Sequence, residues 1–348
     1  MSELYSCTPR QVRKFINEIL QAGLVPFVQS SPGMGKSSIM RSVAAENNLK
    51  LIDHRLSTSA PEDLSGLPEF YTDEQGNRRA RFVPFGDLFP LRGDRLPEGK
   101  DGWMVFLDEF NSAAKTVQAA SYKFILDRMV GQHPVHDCVA ITAAGNLAGD
   151  RAITNALSTA MQSRVVHLEM QVNFEEWLYD VALKENYDSR IIAYLSQFPS
   201  KLMDFRPDHK DKTFCCPRTW EFVNRLITGK VVTDGDAMLL AGTITSGTAV
   251  DFVQFCKIYM NLITIDQILA DPAKCPLPGD QNMRWATITH MMEKVNDKNF
   301  AQLCTYADRF DVSFRILFYR STLVRNPALR QSPTFVGAMA TLGKYLNG

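Results

Sequence analysis

One stretch restricts this chain more than any other: Gln29-Ser30-Ser31-Pro32-Gly33-Met34-Gly35-Lys36-Ser37-Ser38. The apolar run Leu24 to Val28, with Pro26 inside, precedes it, and Ile39, Met40, Val43 and Ala44 follow at helical spacing. That context is strand, loop, helix. A short loop with two glycines can turn its backbone N–H groups inward as an anion nest. The next helix adds its unpaired N-terminal N–H groups and the positive end of its dipole. The pattern approaches G-x-x-x-x-G-K-[ST], in which Lys36 reaches the terminal phosphates of a nucleotide and the Ser37 hydroxyl sits on Mg²⁺. Ser30 stands where that pattern has its first glycine. The plain alternative is a Gly/Ser-rich surface turn before an ordinary helix.

A second stretch belongs with the first. Trp103-Met104-Val105-Phe106-Leu107 is a continuous apolar run, as in a parallel strand buried on both faces, and it ends in Asp108-Glu109. Two adjacent carboxylates there are costly unless they serve something. In an open α/β sheet the C-terminal strand end is where ligands bind. Asp108 then holds Mg²⁺ through water, and Glu109 orients a water for in-line attack on the γ-phosphate; a capping pair is the structural alternative.

The alternation of strands and helices continues with a strand at Leu49–Leu56 and a buried strand at 139–144 running into Gly145-Asn146. Further elements are a helix from Thr8, with Pro9 in its first turn, one over 112–129, one over 153–163 and a short fifth strand over 165–168. Such alternation predicts a P-loop α/β sandwich around a five-stranded parallel sheet. Residues 70–83 read as a hairpin turning at Asp73–Asn77, and 85–91 as the resumption of a helix. Arg78, Arg79 and Arg81 on one arm fit a solvated edge strand or a surface touching a partner. Beyond Glu169 the strand signal fades and helical segments run to the end of the sequence.

Composition excludes little. Thirty-eight basic residues balance 38 acidic ones, so nucleic acid is not expected as a partner. Residues 1–7 lack the basic and apolar regions of a signal peptide, and no apolar run approaches the ~18 residues that span a bilayer. Seven cysteines, odd in number and without a C-x-x-C spacing, predict reduced thiols and a cytoplasmic protein. His133 and His136 have H-x-x-H spacing in a Pro-containing loop without a third ligand nearby, so a metal site is not expected there.

With these motifs in order, the sequence resembles the AAA+ ATPases, and within them the MoxR-like branch related to midasin, over roughly residues 22–263. The run from Ser31 to Ser37 is similar to Walker A, Phe106-Leu107-Asp108-Glu109 to Walker B, Thr142-Ala143-Ala144-Gly145-Asn146 to sensor 1, and Cys216-Pro217-Arg218-Thr219 to sensor 2. The resemblance implies that Ser31, Pro32, Gly33, Met34, Gly35, Lys36, Ser37, Ser38 and Arg218 bind ATP. It also implies that Ser37 and Asp108 serve Mg²⁺, and that Glu109, Asn146 and Lys36 act in hydrolysis. Arg164 is the implied arginine finger reaching a neighbouring subunit's ATP, with Arg151 as a competing candidate. The implied organisation is a nucleotide-binding core over 1–170 with a hairpin insert at about 66–88, a helical lid over 171–263 and a helical extension over 264–348. The implied assembly is a hexameric ring that remodels or matures a protein client, such as one carrying a von Willebrand A domain. A nucleotide-gated binding module with little turnover and a nucleic-acid motor are the other readings.

Overall fold

A computed structural model describes residues 6–150 and 154–346, and the chain forms two compact units, Met1–Val172 and Asn173–Gly348. The first unit runs β1 (Ser6–Cys7), α1 (Pro9–Gln21), β2 (Pro26–Gln29), α2 (Lys36–Glu46), β3 (Leu49–Arg55), α3 (Pro61–Ser65), β4 (Leu67–Thr72) and β5 (Arg78–Val83). It continues with β6 (Gly102–Asp108), α4 (Lys115–Asp127), β7 (Met129–Val130), β8 (His133–Pro134), β9 (Val139–Gly145), α5 (Thr159–Gln162) and β10 (Val166–Met170).

Six strands form one sheet in the order β1-β10-β2-β9-β6-β3, every pair parallel. The expected five become six because β1 adds an edge, Ser6 pairing with Glu169; two residues are too few to show a period in sequence. Side chains alternate across the sheet. Met104 and Phe106 enter the layer formed with Val12 and Ile16 of α1 and Met40 and Val43 of α2. Trp103, Val105 and Leu107 enter the other layer, with Val117 and Phe124 of α4. All of β6 is buried, which is why it reads as an unbroken apolar run.

Thr8 caps α1 through a reciprocal pair with Gln11, and Pro9 takes the first helical position. β4 and β5 form the antiparallel hairpin, with Asp73 Oδ1 accepting from the Gln75 and Asn77 amides at 3.1 and 2.8 Å across the turn. Every residue of both arms is exposed; Arg78 lies over Phe70, Arg81 over Tyr71, and Arg81 pairs with Glu69 directly opposite.

Two expected helices differ. Residues 85–91 form no helix: Pro84 and Pro90 break the pattern, Leu91 makes an antiparallel bridge to Val135, and Phe89 fills the space between His54 and Phe124. Of 153–163, only Thr159–Gln162 is helical among the described residues. Ser158 caps it, and Asn155 instead bonds to the backbone beyond β6.

The second unit is helical. It contains α6 (Phe174–Trp177), continued by a π-helical turn at Leu178–Ala182, then α7 (Ser189–Gln197), α8 (Pro217–Ile227), α9 (Asp236–Ile244) and α10 (Ser246–Ile258). After these come α11 (Ile265–Ala270), α12 (Gln281–Lys294), α13 (Phe300–Ala307), α14 (Val312–Arg325) and α15 (Pro333–Leu346). Tyr194 of α7 meets the rings of Trp220, Phe252 and Phe255, and α12 packs on both α7 and α14, so residues on either side of position 263 share one core. The Asp188–Arg190 pair is largely buried, and the Arg190 guanidinium donates to the Ile227 and Lys230 carbonyls at 2.9 and 2.8 Å, closing the end of α8. Among the described residues no helix is long and apolar enough to cross a membrane.

Candidate nucleotide site

β2 stops at Gln29 and α2 starts at Lys36, leaving a six-residue loop between them. Gly33 and Gly35 have φ of 76° and 89°, the left-handed region that glycine enters without steric cost. Gly35 is the N-cap and offers no side chain, so the first N–H groups of α2 face the loop. Ser30 is not among the residues of positive φ, so a side chain is tolerated where the sequence pattern has glycine. It is fully buried, its N–H donates to Gly145 O at 3.3 Å, and its hydroxyl donates to Ser31 O at 3.0 Å. Lys36 Nζ lies in the loop's mouth, donating to Ser30 O at 2.9 Å, Ser30 Oγ at 3.0 Å and Asn146 Oδ1 at 3.3 Å. Ser31, Pro32 and Met34 complete the half-buried loop wall, whereas Ser38 is exposed in the first turn of α2.

From a different strand, Asp108 comes to the same mouth. β9 separates β2 from β6, yet Ser37 Oγ donates to Asp108 Oδ2 at 3.3 Å. Asp108 is 6% exposed, and its Oδ1 accepts the Glu109 amide at 2.8 Å. Glu109 turns the chain sharply at φ 55° and ψ 34°, a left-handed conformation that costs a non-glycine residue about 1–3 kcal/mol and that clusters at functional sites. Its carboxylate accepts from the Ser57 hydroxyl and lies 3.6 Å from Arg55 Nε, while Arg55 Nη2 lies 3.9 Å from Asp108. Burial, then the Asp108 charge, pushes the neighbouring Asp53 carboxyl up from its ordinary value. Arg55, Ser57 and Asn111 were not singled out in the sequence. Their part depends on β3 lying beside β6 and β6 beside β9, which no local spacing reveals.

Asn146 directly follows β9 and is aimed by its backbone. Its N–H donates to Asn111 Oδ1 at 3.0 Å and its carbonyl accepts from Asn111 Nδ2 at 2.7 Å. Gln29 Nε2 approaches the same carbonyl at 3.4 Å. Lys36, Ser37, Asp108, Glu109 and Asn146 therefore gather at the C-terminal ends of β2, β6 and β9.

Arg164 does not join them. It stands two residues before β10, whose first residue, Val166, pairs with Pro26, the first of β2. The loop leaves the other end of β2, about 13 Å away for four extended residues. Arg164 is exposed and its Nη1 donates to Ala160 O at 2.7 Å. Arg218 is in the second unit, exposed in the first turn of α8. Arg151 lies outside the described residues.

A Mg²⁺ ion that accompanies a nucleotide takes one or two protein oxygens plus phosphate and water. The Ser37–Asp108 pair is such a donor set, and the glycine loop under the N-terminus of α2 suits a phosphate chain. The first unit thus has the parallel sheet and post-strand loop of a P-loop α/β fold. No family model and no curated protein matches the sequence. Among solved structures, the chain is similar to a candidate ATPase of Cytophaga hutchinsonii, at 12% identity and TM-score 0.34 over 96% of this chain and 88% of that one. It is also similar to NtrX of Brucella abortus, at 13% identity and TM-score 0.34 over 97% and 67%. Likeness of this degree carries no argument about function.

Proposed function

We propose that this chain is an ATP hydrolase of the AAA+ kind, similar to the MoxR-like branch, that works as a ring and remodels a protein client. The observation that carries the reading is the meeting of Lys36 and Ser37, from the start of α2, with Asp108, from a strand not adjacent to β2, at one loop mouth. A surface turn has no use for a buried carboxylate against its serine.

Ser37 and Asp108 would hold Mg²⁺, which would supply positive charge against the charge that develops on the phosphate. Lys36 exchanges its loop carbonyls for the terminal phosphates. Ser37 and Asp108 offer the metal oxygens. Glu109, its carboxylate fixed by the Ser57 hydroxyl and paired with Arg55, orients the attacking water and takes its proton. Asn146 directs its carboxamide at the γ-phosphate or that water. The final positive charge is Arg164 of a neighbouring chain, because its own loop is at the far end of β2. Arg218, in the helical unit, is the residue to which the resemblance assigns a further contact with ATP. A hexamer and a client with a von Willebrand A domain are the assembly and partner that the resemblance favours.

Steady-state ATPase and ATP-binding measurements test this. Lys36→Ala should lose binding, and Glu109→Gln should bind ATP and scarcely turn it over. Full activity in the Glu109 variant overturns the assignment. The protein that co-purifies with Glu109→Gln held in ATP identifies the client.

A further inference from the structure

Asn111 bonds to the backbone of Asn146 and not to its carboxamide, yet it joins three pieces of the site. It follows Glu109 by two residues, in the short 3-10 turn Phe110–Ser112, and is 4% exposed. Its carboxamide closes a two-bond clamp on the backbone of Asn146, at 2.7 and 3.0 Å. Its own carbonyl accepts the Asn155 N–H at 2.6 Å, and Asn155 Nδ2 donates to Ala113 O at 2.8 Å. Three residues after Asn155, Ser158 caps α5, and Arg164 follows that helix and bonds back to it.

The fit is tight from the other side. A Cβ at Gly145 would lie 2.3 Å from Asn111 Oδ1 and 2.8 Å from its Cγ, distances real atoms do not adopt. The clamp therefore requires glycine at 145 as much as asparagine at 111.

We infer that Asn111 is a positioning residue that couples the Glu109 turn to the Asn146 side chain and to the segment leading to Arg164. A buried amide that pairs both backbone groups of one residue fixes that residue's direction as a strand neighbour does. Asn146, so held, presents Oδ1 to Lys36 at 3.3 Å. The Asn155 bonds carry the same turn into the start of the arginine-bearing segment. One residue thus ties the hydrolytic carboxylate of a subunit to the arginine that subunit offers elsewhere. This role rests on the ATP-hydrolase reading.

The test is a split between turnover and binding. Asn111→Ala, Asn111→Asp and Gly145→Ala are compared with wild type by steady-state ATPase assays and by calorimetric ATP titration. Asn111→Asp keeps the acceptor for the Asn146 N–H and loses the donor to its carbonyl. Gly145→Ala removes no polar group and pushes on the Asn111 carboxamide first and on the Phe27 ring, at 3.0 Å, second. Each should lower kcat about ten- to a hundredfold, the scale of a misplacement near 1 Å, with ATP affinity within about twofold because Lys36 keeps its Ser30 partners and Ser37 its Asp108 partner. The Asn111→Ala/Gly145→Ala double variant should lose little beyond either single, since both break one clamp.

A wild-type protein that binds ATP and never turns it over overturns the hydrolase reading and this role with it. An active wild type with unchanged kcat in the folded variants overturns this role alone. So does an equal loss of affinity and kcat, which marks a loop collapse. If Asn111→Ala does not fold, the other two singles decide by the same split.

Discussion

The Ser57 hydroxyl donates to the Glu109 carboxylate although 52 positions separate the two residues. β3 lies beside β6, Arg55 opposite Asp108, so the turn after one strand reaches the turn after the other. A hydrogen bond to an ionised partner contributes about 1.5–3 kcal/mol where it is well formed. Here it fixes the direction of the carboxylate. Ser57→Ala should lower kcat for ATP about ten- to a hundredfold, on the scale of one such bond, and leave ATP affinity unchanged. A rise in kcat would mean that the bond restrains Glu109 instead of aiming it.

Ser30 bears on affinity. Lys36 must leave Ser30 Oγ, its acceptor at 3.0 Å, to reach a phosphate. Removing that acceptor raises the energy of the resting ammonium by about 1 kcal/mol. Ser30→Ala should therefore bind ATP about two- to fivefold more tightly, with kcat intact. Calorimetric titration reads the first and an ATPase assay the second. A collapse in turnover would show that the hydroxyl is needed for the loop's shape.

Arg164→Ala should keep ATP binding and lose turnover by a factor of about 10³ or more, the range of arginine fingers supplied in trans. Mixing it with Glu109→Gln should restore part of the activity, since each variant supplies what the other lacks. The mixture is assayed across molar ratios, and activity that stays at baseline at every ratio counts against Arg164.

Arg190 controls stability in the helical unit. Its loss would leave Asp188 buried beside two carbonyls that now accept from the guanidinium. Breaking one side of a buried ion pair costs about 3–5 kcal/mol. Arg190→Met should lower unfolding stability by about 3 kcal/mol in urea titrations followed by circular dichroism. A change below about 1 kcal/mol would show that water reaches the pair.

What the sequence disclosed depended on the range of the interaction. β6 was legible because a strand buried on both faces is apolar at every position until Asp108. α1 was legible because Thr8, Pro9 and Gln11 lie within a few residues of one another. The segment 85–91 misled because its apolar residues suggest a helix, while Pro84 and Pro90 turn the chain and Leu88, Phe89 and Leu91 reach the core without one. The segment 153–163 misled because Asn155 gives its hydrogen bonds to Asn111 and Ala113, contacts made only after β6 and β9 come together. Arg55, Ser57 and Asn111 stayed unmarked for the same reason. Each is ordinary in its neighbourhood and distinctive only across the sheet.

Lys36 and Arg164 lie beyond opposite ends of β2. On the hydrolase reading, this makes assembly a matter of counting. Two chains side by side complete one site and leave an arginine at one end and a loop at the other. Lengthening the row never removes that remainder; only closure does. Output per chain should then climb with protein concentration as open rows give way to circles, and the last contact to form is the one that leaves no chain idle.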